Sequence, residues 1–137
     1  MKSTFWTVTA AIAVVSVVGC STGRDEAKRG VAEFRARVSQ HAYSDVYANA
    51  DAGLREAVTQ EKFVELMAAI ERKLGTWQSA ADPVWNFTRG TNGHFVKLTY
   101  QSQFTRGPVV EEFVWRIQNT QSTLLAYHVN SPLLVSD

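Results

Sequence analysis

Glu111 and Glu112 are the acids best placed to do chemistry in this chain. They precede Phe113, Trp115 and Ile117, which alternate with Val114, Arg116 and Gln118 as a half-buried strand does. Adjacent strand residues face opposite sides, so parity puts Glu111 on the apolar face and Glu112 off it. A carboxylate held there beside Tyr100 or Tyr127 could work as a general base, with a tyrosine donating a hydrogen bond. The competing expectation is a carboxylate at the rim paired with a cation such as Arg106. Trp77, Trp85, Tyr100, Phe104, Phe113 and Trp115 form an aromatic set on one sheet face. Trp77, Tyr100, Phe113, Trp115 and Tyr127 are the candidates to line a pocket for a small apolar ligand. More often such residues simply fill the space between sheet and helices, and that is the expectation here.

Other chemistry finds little support. His41, His94 and His128 fall in different segments, with no carboxylate or cysteine at ligand spacing, so no metal site is expected. They read as turn or solvent-facing residues, and alternation turns His128 away from Leu125, Tyr127 and Val129. No phosphate-binding glycine loop, nucleophile elbow or zinc-binding helix motif occurs. No cofactor is expected.

Cys20 is the single cysteine. Before it come Lys2, an apolar run from Phe5 to Val18, and Gly19, the order of a secretory signal. That run falls short of the roughly 20 residues a membrane-spanning helix needs. Val17-Val18-Gly19-Cys20 resembles the lipobox of bacterial lipoprotein signals, although valines stand where leucine and a small residue are usual. The resemblance implies a diacylglycerol on the Cys20 sulfur, cleavage before Cys20 and an acylated amine. Residues 1–19 are then the signal peptide, 20–26 a lipidated tether and 27–137 one domain. Ser21 stands where the inner-membrane retention signal has aspartate. In a Gram-negative host this implies an outer-membrane protein facing the periplasm.

Cleavage leaves roughly 120 residues, enough for one core. It removes Lys2, so the 14 basic and 13 acidic residues of the full chain come into balance. A neutral chain lacks the basic footprint of a nucleic-acid binder. With Cys20 lipidated, no disulfide can form within the chain, and packing alone must hold the fold.

The elements that position these residues follow from periodicity. Ala27, Val31, Phe34 and Val38 predict a helix over about 25–40. A short helix is expected over 44–50, a break at Asp51-Ala52-Gly53, and one more turn over 54–58. Phe63, Leu66, Met67, Ile70 and Leu74 predict the best-defined helix. Thr59 is its N-cap and Gly75 its left-handed stop. Beyond Gly75 the period changes to 2. Trp77, Trp85 and Phe87 share a face, but Asp82-Pro83 interrupts, predicting a bulged or edge strand. Val96, Leu98, Tyr100 and Phe104 mark the next strand, then Phe113–Ile117, then 123–131 with Leu125, Tyr127 and Val129 on one side. Short turns make the strands antiparallel. The fold class is α+β, with N-terminal helices on one face of a curved sheet of about four antiparallel strands.

The stretch from Tyr43 to Gly75, with Lys62-Phe63 and Lys73-Leu74-Gly75, precedes Val96-Lys97-Leu98-Thr99-Tyr100-Gln101-Ser102-Gln103-Phe104. Val110-Glu111-Glu112-Phe113 and Leu125-Ala126-Tyr127 follow. This resembles small secreted bacterial proteins of unknown function with a cystatin-like or nuclear-transport-factor-two-like cone, over roughly residues 28–131. Ala126 stands where that family has glycine. Such folds host isomerases, dehydratases, transport factors and structural modules, so the fold does not choose among them.

Three functions are therefore expected in order. The first is a lipid-anchored, non-enzymatic envelope protein that binds an apolar ligand or a protein partner. The second is a small isomerase-like enzyme with Glu111 as base and Tyr100 as donor. The third is a structural lipoprotein that pairs with a second copy through its sheet.

Overall fold

The computed structural model describes residues 22–135. Cys20 and the signal segment lie outside the described residues. Helix α1 (Arg24–Ser39) carries Asp25 and Glu26 in its first turn, where carboxylates suit the helix dipole. It buries Ala27, Gly30, Val31 and Phe34. Two short helices follow, α2 (Tyr43–Ala48) and α3 (Ala52–Ala57). Asp51 caps α3 by accepting from the Gly53 amide. Helix α4 (Gln60–Leu74) starts as expected at Thr59, whose hydroxyl accepts from the Lys62 amide. It ends at Gly75, with φ 79°.

Helix α4 buries Phe63, Met67, Ile70 and Leu74. Leu66 does not join them and stays 52% exposed. At about 100° per residue, it sits about 70° to one side of the buried stripe. The expectation that Leu66 faces the core is thus corrected.

The chain then forms five antiparallel strands: β1 (Trp77–Ala80), β2 (Val84–Gly90), β3 (Gly93–Phe104), β4 (Gly107–Gln118) and β5 (Gln121–Asn130). Strands β1 and β2 both pair with β3, β1 along its second half and β2 along its first. They occupy one lane of the sheet, broken at Asp82-Pro83, because proline cannot donate to a ladder. The anticipated interrupted edge strand is therefore two strands, and the sheet has four lanes. A turn of 3₁₀ helix, Pro132–Leu134, closes the described chain.

The sheet is curved and unclosed, and the helices pack on its inner face. Val96, Leu98, Tyr100, Ser102 and Phe104 of β3 face inward, opposite Val109, Glu111, Phe113, Trp115 and Ile117 of β4. Phe34 of α1 meets Phe113 edge-on at 5.1 Å between ring centroids and Tyr127 at 4.8 Å. Gly30 permits this approach. A β-carbon there would come within 2.7 Å of the Trp115 ring.

One strand face differs from expectation. The β4–β5 register slips between Val114 and Trp115, so Trp115 pairs with Leu124 while Val114 pairs with Ala126. Leu125 is the extra residue of this bulge, and Leu124 takes the buried place. The inward set on β5 is Leu124, Tyr127 and Val129. No helix among the described residues is long and apolar enough to cross a membrane.

Candidate functional site

Strand parity carries Glu111 inward, as the pattern Phe113-Trp115-Ile117 predicts, and leaves it 1% exposed. A carboxylate cannot stay there without donors. Its partner cation is Arg35, which follows Phe34 on the inner side of α1. One Arg35 nitrogen donates to Oε1 at 2.9 Å and the other to Oε2 at 3.3 Å, a two-pronged ion pair. The Ser102 hydroxyl donates to Oε1 at 2.5 Å, and the Tyr127 hydroxyl to Oε2 at 2.7 Å. Each oxygen therefore accepts twice, filling the acceptor capacity of a carboxylate. Arg106, the cation suggested by sequence proximity, is not the partner.

Arg35 is held by aromatic faces as well. Its guanidinium carbon lies 4.2 Å from the centroid of Trp77, 5.3 Å from Tyr100 and 5.6 Å from Phe113. Burial pushes the Tyr127 hydroxyl well above its usual range, and the charge and hydrogen bond of Glu111 push the same way. Tyr127 is thus a neutral donor. Burial also raises Tyr100, with Arg35 pulling it down and Glu111 pushing it up.

Beside this cluster lies a cavity of about 150 Å³ between α1, α4 and the inner sheet. Phe34, Val38, Met67, Ile70, Phe104 and Tyr127 form its apolar walls, and Arg35 and Glu111 also line it. A dry apolar cavity of about this volume takes up a single aromatic ring. Ser39, His41, Thr76 and Trp77 are exposed lining residues and put the mouth at the junction of helices and sheet. At this mouth His41 Nε2 lies 2.7 Å from Glu71 Oε1, and the Tyr43 hydroxyl donates to Oε2 of the same residue. The Tyr43 bond holds Glu71 below its usual range against the effect of burial, helped by His41. Burial, with the hydrogen bond and charge of Glu71, pushes Tyr43 up to about 12.

The five aromatic pocket candidates separate. Trp77 and Tyr127 line the cavity. Tyr100, Phe113 and Trp115 are buried core residues and are not among its lining. Of the histidines, His41 is exposed at a left-handed turn and His128 is exposed, whereas His94, the second residue of β3, faces inward. Its Nε2 is buried without a hydrogen-bond partner among the described residues. No three His, Cys, Asp or Glu side chains of the described residues gather in a way that could hold a metal ion.

Sequence reasoning missed Arg35, Ser102 and the α4 wall. Arg35 had one visible signal, its place next to Phe34 on the edge of the apolar stripe. It also passed over a second buried acid. Asp51 accepts from Arg116 Nε at 2.7 Å and from the Thr123 hydroxyl at 2.8 Å, and its amide donates to the Leu124 carbonyl. Burial would raise Asp51, but the Gly53 amide, Arg116 and Thr123 together hold it below its usual range. Asp51 thereby fastens the α2–α3 corner to the free edge of β5.

The family model described as protein of unknown function (DUF4019) matches residues 31–127, and the chain belongs to that family. The matched span contains Arg35, Ser102, Glu111 and Tyr127 and stops short of Cys20. No curated protein matches the chain.

Proposed function

We propose that this DUF4019 protein is a lipid-anchored envelope lipoprotein whose cystatin-like cone binds a small apolar ligand, or the apolar side chain of a partner, without catalysis. The observation that carries the reading is the cavity of about 150 Å³, where Glu111, the buried carboxylate of its lining, already accepts four hydrogen bonds. An isomerase-like enzyme needs a base with a free oxygen facing its substrate. Glu111 offers none while Arg35, Ser102 and Tyr127 hold it. Lipidation at Cys20 rests on the signal sequence, and the envelope location follows from it.

The test uses the chain with Cys20→Ser, which the reading expects in the soluble fraction. Indole is titrated in while the methyl signals of Met67 and Ile70 are followed by NMR. Saturable shifts are expected, and Val38→Trp, which fills the cavity, should abolish them. Unshifted methyls for both indole and benzene would sink the ligand-binding reading. Wild type and Cys20→Ser chains with the same mass and the same fractionation would sink the anchor.

A further inference from the structure

We infer that the inner face of β2 is a membrane-docking surface, seated at the headgroup boundary of the bilayer that holds Cys20; this rests on the lipid-anchor reading above. Trp85 and Phe87 pair across the ladder with Leu98 and Val96, so they share the inward face of the sheet. Leu98 and Val96 are fully covered, yet Phe87 is 47% exposed and Trp85 only half-buried. The two rings stack at 6.2 Å with 18° between planes. Val84, on the opposite face of the same strand, is 76% exposed. Large uncovered apolar side chains grouped on one strand mark an interaction surface.

Where the chain enters the domain identifies the occupant. Helix α1 starts beside this strand: the Arg24 guanidinium carbon lies 5.4 Å from the centroid of Trp85. Gly23 packs on Ile117, whose strand partner is His94 at the β2–β3 end of the sheet. Cys20 is four residues before Arg24, a span of at most about 14 Å. Acyl chains on Cys20 therefore keep Trp85 within reach of the bilayer surface at all times. The face has the composition of an interfacial segment. Trp85, Phe87 and Arg89 alternate along one side of β2, two aromatic rings followed by an exposed cation next to the hairpin turn. Trp settles at the boundary between headgroups and acyl chains, and arginine meets lipid phosphates there. The contact is weak by itself, and the anchor supplies the local concentration that makes it persist.

The experiment reconstitutes the full processed protein in phosphatidylethanolamine–phosphatidylglycerol vesicles whose acyl chains carry bromine, a short-range quencher of tryptophan. Mass spectrometry first reads the modification of Cys20. Quenching of wild-type emission is expected, with most of it lost in Trp85→Phe and retained in Trp77→Phe. A lipidated protein with unquenched emission overturns the docking inference and leaves the anchor standing, with no variant needed. Equal quenching in Trp85→Phe and wild type overturns it as well. Unquenched emission with cross-linked dimers assigns the face to a second copy of the chain, again against the inference. An unmodified Cys20 removes the anchor reading and the docking with it.

Discussion

At the scale of single residues, Glu111 and Arg35 depend on each other. Removing either partner leaves the other in a buried site without compensation, which costs about 3–5 kcal/mol. Arg35→Ala should therefore lower unfolding free energy by about that much in urea denaturation. The double variant Arg35→Met with Glu111→Gln should lie closer to wild type than Arg35→Ala alone, because no unmatched charge remains. Additive losses in the double variant would mean that the two residues are not coupled. Arg35→Lys keeps the charge but cannot reproduce the two-pronged contact or the stacking on Trp77. It should be intermediate.

At the scale of elements, α4 and the bend after it decide where the cavity opens. Met67 is buried on the stripe of α4 and lines the cavity, whereas Leu66 lies on the open flank. Met67→Ala should cost about 2–5 kcal/mol, and Leu66→Ala should stay within about 0.5 kcal/mol. Thermal or urea denaturation of the pair measures this, and equal losses would put the stripe in the wrong place. The turn after α4 has its own constraint. Gly75 has φ 79°, and a β-carbon there would meet the Thr105 hydroxyl oxygen at 1.8 Å. Gly75→Ala should destabilise by at least about 1 kcal/mol through strain and the clash together. A neutral Gly75→Ala would mean that the turn relaxes freely.

At the scale of the whole molecule, the buried polar groups set a pH window. Asp51 and Glu71 are held below their usual range, so the unfolded chain takes up their protons first as pH falls. The stability they contribute is complete at neutral pH and drains away as pH drops through the usual carboxylate range and below it. Tyr43, Tyr100 and Tyr127 are raised, so on the alkaline side the unfolded chain releases its protons first. Stability should fall as pH rises past 10, the ordinary tyrosine value. Tyr43→Phe should flatten part of that decline. Unfolding free energies measured from pH 3 to pH 12 would test both limbs, and a flat profile above pH 10 would contradict the tyrosine assignments.

The sequence alone determined what is local. The two-residue period told that Glu111 shares a face with Phe113 and Trp115, because alternation is a property of one strand. Thr59 and Gly75 marked the ends of α4, because caps act within one turn of backbone. The change of period after Gly75 separated helices from sheet. Only the tertiary structure decided which cation meets Glu111. Arg35 is 76 positions away in the chain, and its distance from the carboxylate depends on how α1 crosses the sheet. The same holds for Leu66, which lies to one side of the buried stripe of α4 and stays half exposed, and for Leu125, displaced by a bulge at the β4–β5 ladder. The cavity belongs to no single element. It is the space left where α1, α4 and a curved sheet fail to close completely, and a pattern read along one strand or helix carries no information about that gap.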